Sequence, residues 1–247
     1  MIYRFDTVDS TNTYAKTLAQ QGAPHGTVVV ADSQTGGRGR LGRGFHSPAG
    51  CGLYLSILLR PQCKAAQLMH LTCAAAVATC DAIETAAGFR PGIKWTNDIV
   101  YENRKLGGIL TELGLEGDSV GYAVIGIGIN CNQRPEDFPP ELWDMAASLS
   151  MVQGNAISKQ ALEKALIDAL QTMSNKLLTE KATILARYRA DCVTLGKEIC
   201  VVQGQTLRHA TAIGLDGDGG LVIRLPDGNL ETVAFGEVSV RGMYGYL

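Results

Sequence analysis

The chain has 247 residues, 46% of them hydrophobic and 19% charged, enough to bury a sizeable core in one large domain or in a domain plus a small one. A formal net charge of −2 excludes global attraction to nucleic acid or to an anionic membrane, so any anion site must be local. Seven cysteines without a C-x-x-C pair argue against a disulfide framework and for reduced thiols in the cytoplasm, and MIYRFDTVDSTN at the N-terminus lacks the pattern of an export signal.

In chain order, residues 3–5 form a short strand that leads into a helix, with Ser10 as N-cap and Gly22 as stop. TVVVAD (27–32) and LYLSILL (53–59) are strands on their β-branched and apolar runs. Residues 64–87 form a helix ending at Gly88; its apolar part is interrupted by Gln67 and His70, too short and polar for a membrane span. IKWTNDIVY (93–101) and KLGGILTEL (105–113) read as a hairpin, and GYAVIGIGINC (121–131) as a strand. A proline-containing loop covers 132–148; a helix capped by Ser158 spans 158–178, and a second helical stretch reaches about Cys192. From Gly196 the chain turns to short strands broken by LDGDGG (215–220) and LPDG (225–228), the pattern of a small β-barrel. The boundary falls near 195, dividing 1–194 from 195–247.

TGGRGRLGRG (35–44) contains G-x-G-x-x-G after a strand. A dinucleotide fingerprint needs a helix next and an acid about 20 residues on. Here RGFHSPAGCG follows, then another strand, and no Asp or Glu occurs between Asp32 and Asp81. A nucleic-acid arm needs interleaved aromatics, and only Phe45 is near. The arginines are either a solvated hairpin tip or a mobile clamp for an anion. The lack of local acids favours the clamp, with glycines admitting the ligand to backbone N–H groups and guanidinium forks gripping carboxylate or phosphate.

KWTNDIVYENRKLGGIL (94–110) carries a second cluster. With Asn103-Arg104 as the hairpin loop, Asp98 pairs with Ile109, and Lys94, Thr96 and Asp98 share a face with Lys105 and Gly107. Asp98 and Lys105 would also suit an ordinary cross-strand surface pair, Trp95 a core anchor, and Asn97 a strand-end amide. His25, His46, His70 and His209 are scattered and suit surface or core roles rather than a metal site.

Taken together, DSTN (9–12), SQTGGRGRLGRGFHSP (33–48), GLYLSILLRP (52–61), KWTNDIVYENRKLGGILTEL (94–113), VIGIGINCN (124–132) and VSVRGMYGY (238–246) resemble the biotin protein ligases over nearly the whole chain. Two departures stand out: Thr96 replaces the proline of the family's KWPND, and Phe45 replaces its tryptophan after the arginine loop. The chain begins at the first strand, as in the monofunctional form without a DNA-binding domain. The resemblance implies an α+β fold: a mixed sheet with flanking helices, like the class II aminoacyl-tRNA synthetases, plus a C-terminal Src-homology-3-like barrel. It implies that biotin and ATP, with Mg²⁺, give biotinyl-5′-AMP, and that biotin passes to a lysine of a biotin carboxyl carrier protein. No DNA or membrane partner is implied, and either a monomer or a homodimer is compatible.

By that resemblance Ser10, Thr11, Asn12 and Gln34 face the biotin rings, whose ureido group needs both donors and acceptors. Gly37, Arg38, Gly39 and Arg40 close over the chain and adenylate. Arg38, Arg40, Arg43, Lys94, Asn97, Asp98, Lys105, Gly128, Ile129, Asn130 and Arg241 serve ATP or the adenylate. Arg38 and Lys105 stabilise charge, and Asp98 positions the incoming amine or takes its proton. Cys131, beside Asn130, is either an oxidation-sensitive thiol or, as is usual for cysteine, a buried inert one. A lipoate or octanoate transferase and a non-catalytic biotin sensor are the alternatives.

Overall fold

The structure, a computed structural model, describes residues 1–203 and 205–234 and the backbone of 238–242. It opens with a β-α-β unit. β1 (Ile2–Val8) and β2 (Thr27–Gln34) run parallel, joined by α1 (Thr11–Gln20), which ends just before Gly22 at φ 85°. β3 (Gly52–Leu59) is buried along its whole length because it lies inside the sheet. The expected helix over 64–87 divides into a 3₁₀ turn (Ala65–Leu68) and α2 (Leu71–Ala87), which closes on Gly88 in the left-handed region. Ala65–Ala87 is long and apolar enough to cross a membrane by composition, yet most of it is buried inside the protein as a core helix.

The seven-stranded sheet is completed by β4 (Gly92–Lys94), β5 (Asp98–Tyr101), β6 (Arg104–Glu116) and β7 (Ser119–Asn130), in the order β1-β2-β3-β7-β6-β5-β4. α2 and α4 (Lys159–Lys176) cover one face, and α5 (Lys181–Asp191) packs against α2. On the other face α1 packs on Val29, Leu58 and Val124. Alternation places Gly126, Gly128 and Asn130 on that same face of β7, beyond the end of α1. Small residues and no helix there leave a hollow.

Three local expectations change. Residues 93–101 are two strands, not one: the chain reverses through Trp95–Asn97, and Lys94 pairs with Asp98. The β5–β6 turn is Glu102-Asn103, not Asn103-Arg104, with both residues at positive φ (45° and 67°) as a type I′ turn requires. A bulge between Ile99 and Val100 then sets Asp98 opposite Gly108 rather than Ile109. The loop over 132–148 holds two 3₁₀ turns, and α3 (Leu149–Gln153) follows it unannounced, capped by Ser148 and closed by Gly154. Five residues are too few to show a helical period.

β8 (Glu198–Gln203), β9 (Thr206–Leu215), β10 (Leu221–Arg224), β11 (Leu230–Val233) and β12 (Val238–Gly242) form a second, antiparallel sheet in the order β11-β10-β9-β8-β12. Both predicted turns are present: Asp216 Oδ1 accepts from the Asp218 and Gly220 backbones, and Asp227 Oδ1 from Asn229. No pairing of β11 with β12 closes this sheet into a barrel among the described residues. Trp95 is the expected core anchor and also reaches the small sheet, donating from Nε1 to the Gly219 carbonyl at 3.0 Å.

His70, at the start of α2, is fully buried; its Nε2 lies 2.8 Å from the Leu177 carbonyl and its Nδ1 has no partner. Burial holds its pKa below the ordinary 6.5, against the opposing pull of the Leu177 bond. Above that pH both folded and unfolded chains carry a neutral ring. As pH falls through 6.5 the unfolded chain is protonated first, so stability declines until the folded pKa is passed. Thermal unfolding at pH 7.5 and 5.5 tests this: the drop in Tm is expected to be larger in the wild type than in His70→Gln, and equal drops would reject it.

Candidate active site

The hollow beyond α1 is a cavity of about 680 Å³. Its closed end is polar. Ser10, Thr11 and Asn12, at the start of α1, are each at most 4% exposed. Ser10 occupies the N-cap position without a side-chain cap bond, and it lines the cavity. Gln34 accepts from the Thr11 backbone N–H at 2.9 Å through Oε1 and donates from Nε2 to Ser47 Oγ at 3.0 Å. Asn12 donates from Nδ2 to the Leu110 carbonyl and to Glu112 Oε2, while Ser56 Oγ lies 2.7 Å from its Oδ1. A Cβ on Gly126 would stand 2.0 Å from that Oδ1, so the strand approaches Asn12 only as glycine.

One wall is the arginine loop. It folds as a small hairpin: Arg38 bridges to Gly44, Gly39 N–H donates to the Arg43 carbonyl at 2.7 Å, and Phe45 N–H to Gly37. At the tip Leu41 has φ 57°. Arg40 donates to Asn97 Oδ1 at 3.2 Å, and Asn97 donates onward to the Ile109 carbonyl at 2.9 Å. Burial is the chief influence lowering the Arg40 pKa, opposed by the charge of Asp98, and the group stays a cation. Arg38 lies 3.4 Å from Glu112. The loop therefore does have an acid to pair with. Glu112 is remote in sequence, and the pairing of β6 with β7 and α1 brings it there.

The opposite wall carries Lys105, whose Nζ donates to Asp98 Oδ1 at 2.5 Å. The bulge and the I′ turn put these two in contact. The backbone of Lys105 is clamped on both sides by the loop over 132–148, through Met145 O at 2.7 Å and Ala147 N at 2.9 Å. Asn130 staples the same loop, donating to Ala147 O at 3.0 Å, with Gln133 Nε2 near its Oδ1. Phe45 packs where a Cβ on Gly128 would lie 2.5 Å from its ring, and it meets Tyr54 edge to face.

Glu112 lies behind the cavity wall, in contact with Asn12 and Arg38. Burial would raise its pKa, but hydrogen bonds from Lys16 and Asn12 outweigh that and hold it below the usual carboxylate range. Cys131 behaves oppositely. Burial pushes its thiol up to about 12, so of the two readings of Cys131 the structure favours the packed, unreactive side chain over the oxidation-sensitive one.

Of the expected residues, Ser10, Thr11, Asn12, Gln34, Arg38, Gly39, Arg40, Arg43, Lys94, Asn97, Asp98, Lys105, Gly128 and Asn130 all line this one cavity. Gly37 and Ile129 do not. A Cβ on Gly37 would meet the Phe45 carbonyl at 2.4 Å, so its role is to let the hairpin close, and Ile129 is a core residue. Arg241, in β12, pairs through its backbone with Cys200 of β8, and its side chain lies outside the described residues. Sequence reasoning missed Glu112, which lies behind the cavity wall and contacts Asn12 and Arg38, and the lining residues Phe138, Leu142, Asp144 and Met145. Those four sit in an aperiodic loop, and Glu112 reads as a surface strand residue.

Residues 4–130, more than half of the chain, match the Biotin/lipoate A/B protein ligase family, and residues 194–241 match the Biotin protein ligase C terminal domain. The bifunctional ligase/repressor BirA of Bacillus subtilis is 39% identical over 92% of this chain and 70% of its own length. The biotin–[acetyl-CoA-carboxylase] ligase of Paracoccus denitrificans is 33% identical over 89% of this chain and 92% of its own. A solved structure, the biotin protein ligase from Aquifex aeolicus in complex with biotin and ATP, superposes with a TM-score of 0.82 at 29% identity, covering 98% of both chains. Sequence along most of the length, fold, and the clustering of the arginine loop with Lys105 and Asp98 agree: the chain belongs to the biotin protein ligases, within the biotin/lipoate A/B protein ligase family.

Proposed function

We propose that the protein activates biotin with ATP to biotinyl-5′-AMP and passes the biotinyl group to a lysine of a biotin carboxyl carrier domain. One observation carries this reading: a single cavity is lined both by hydroxyls and amides, Ser10, Thr11, Asn12 and Gln34, and by five cations, Arg38, Arg40, Arg43, Lys94 and Lys105. The hydroxyls and amides suit a ureido group. The cations suit a carboxylate meeting a phosphate.

In the first step a biotin carboxylate oxygen attacks the α-phosphorus of ATP, and the P–O bond to pyrophosphate breaks. Lys105 and Arg38 are assigned to the carboxylate and α-phosphate, where fixed positive charge stabilises the charge that builds there. Arg43, Lys94 and Asn97 are assigned to the nucleotide. Gly128 supplies the close wall for adenine and ribose, and Asn130 fixes that wall by stapling the loop. In the second step the carrier lysine attacks the acyl carbon, and the C–O bond to AMP breaks. Asp98, held against Lys105, orients the amine or takes its proton. Mg²⁺ bound to ATP would supply charge neutralisation at the phosphates. Asp98 and Asp144 are the carboxylates in the cavity that would meet it, which fits a cation that keeps most of its ligands from water and phosphate.

The arginine loop is read as a lid that orders over biotin and keeps water from the anhydride. Arg40, through Asn97, would hold it shut. Arg40→Gly is therefore expected to release adenylate and to label added bystander protein more than the wild type does, read on a streptavidin blot. Equal labelling would remove Arg40 from this role. Residues 1–194 are read as the catalytic domain and 195–247 as a small domain of the Src-homology-3-like barrel type, in a cytoplasmic enzyme. Arg241, from that second unit, is assigned to ATP or the carrier.

ATP–pyrophosphate exchange with and without biotin, with lipoate as control, tests the whole reading. Biotin-dependent exchange supports it. Exchange with lipoate alone would move the protein to the sister activity, and biotin binding without exchange would leave a sensor.

A further inference from the structure

Glu112 does not line the cavity, but it stands behind the wall and contacts two residues that do, Asn12 and Arg38. It lies on the cavity face of β6, opposite Val124, and its side chain is 21% exposed. Oε2 accepts from Asn12 Nδ2 at 2.9 Å. Oε1 accepts from Lys16 Nζ at 2.8 Å and lies 3.4 Å from Arg38 Nη2. These contacts do different things. The first, with the Leu110 carbonyl, turns the Asn12 NH₂ away from Ser56 and leaves Oδ1 as the acceptor end. The last supplies a counter-ion to an arginine whose own loop has no acid. Lys16 tempers that attraction by sharing Oε1.

We propose that Glu112 is a positioning residue that couples the two ends of the biotin site: it orients the Asn12 amide at the closed end, and it holds Arg38 until a bound carboxylate takes that guanidinium over. This rests on the biotin reading above. A neutral ligand with the same ring system uses only the first effect, whereas biotin itself must also draw Arg38 from Glu112.

The test is calorimetric titration of biotin and of biotinamide, its uncharged amide. The ratio of the biotinamide Kd to the biotin Kd measures what the carboxylate contributes. In Glu112→Gln the one remaining oxygen is drawn to Lys16 and the new NH₂ faces the Asn12 NH₂, so the Asn12 amide loses its orienting acceptor and the Kd for biotinamide is expected to rise about 10-fold. Arg38 is meanwhile released, so the ratio is expected to rise about 3-fold over the wild type. Lys16→Met gives the opposite sign, keeping biotinamide binding near wild type while the ratio falls, because Glu112 then grips Arg38 harder. It also serves if Glu112→Gln does not fold. A role confined to structure would weaken both ligands equally, so an unchanged ratio in either variant overturns the proposal, as does unaltered biotinamide binding in Glu112→Gln. A wild type that binds neither ligand, and shows no biotin-dependent exchange, overturns the biotin reading itself and this inference with it.

Discussion

Replacing Lys105 by methionine is expected to slow biotin-dependent ATP–pyrophosphate exchange by about 10²–10³-fold. The change removes the ammonium while keeping most of the stem, and the backbone bonds to Met145 and Ala147 do not depend on the side chain. The fold should therefore survive, with a Tm within a few degrees of wild type. Biotin binding should weaken less than turnover falls, because the charge matters most where the phosphoryl group accepts the carboxylate. Asp98 would lose its partner and lie beside incoming phosphates, adding repulsion. The companion variant Asp98→Asn should leave exchange nearer wild type but depress transfer to the carrier. Exchange by Lys105→Met at the wild-type rate would remove Lys105 from the chemistry and leave it as half of a cross-strand pair.

Gly126→Ala is expected to raise the biotin Kd by about 100-fold or more. The added methyl would sit 2.0 Å from Asn12 Oδ1 and 2.7 Å from its Cγ. Asn12 cannot yield cheaply, since Ser56, Leu110 and Glu112 hold it on three sides. Either the amide rotates out of the biotin site or β7 shifts against its neighbours. Both misplace the groups that would meet the ureido ring. A site built on hydrogen bonds loses heavily when its buried partners are misaligned. Gly128→Ala is a useful contrast, because its methyl would press on the Phe45 ring instead, and nucleotide affinity should suffer first. Unaltered biotin affinity in Gly126→Ala would mean that Asn12 is not a ligand contact.

Much of the architecture was written locally. Runs such as TVVVAD and LYLSILL bury a strand on both sides wherever it lies in a sheet. Ser158 and Gly88 mark helix ends by their own backbone chemistry, and Asp216 and Asp227 close turns within a few residues. The hairpin over 93–113 was harder. Period-two alternation shows which residues share a face, but it carries no record of a bulge or of which two residues turn. Glu102 and Asn103 adopt positive φ only because the strands on either side demand a tight reversal. The one-residue shift that follows decides that Asp98 faces Gly108.

By itself, then, the sequence determined the places of the longer strands and helices, the glycines that leave room on β7, and the residue types a biotin and phosphate site requires. Those depend on backbone preference and on spacings of a few residues. Only the tertiary structure decided the register in which Lys105 meets Asp98, that Glu112 answers Arg38 and Asn12, that Asn130 staples a loop, and that Cys131 is buried. Partners such as Arg38 and Glu112 lie 74 residues apart along the chain. Their meeting is set by strand register and helix packing, and the long-range contacts that fix these are properties of the whole fold rather than of any segment.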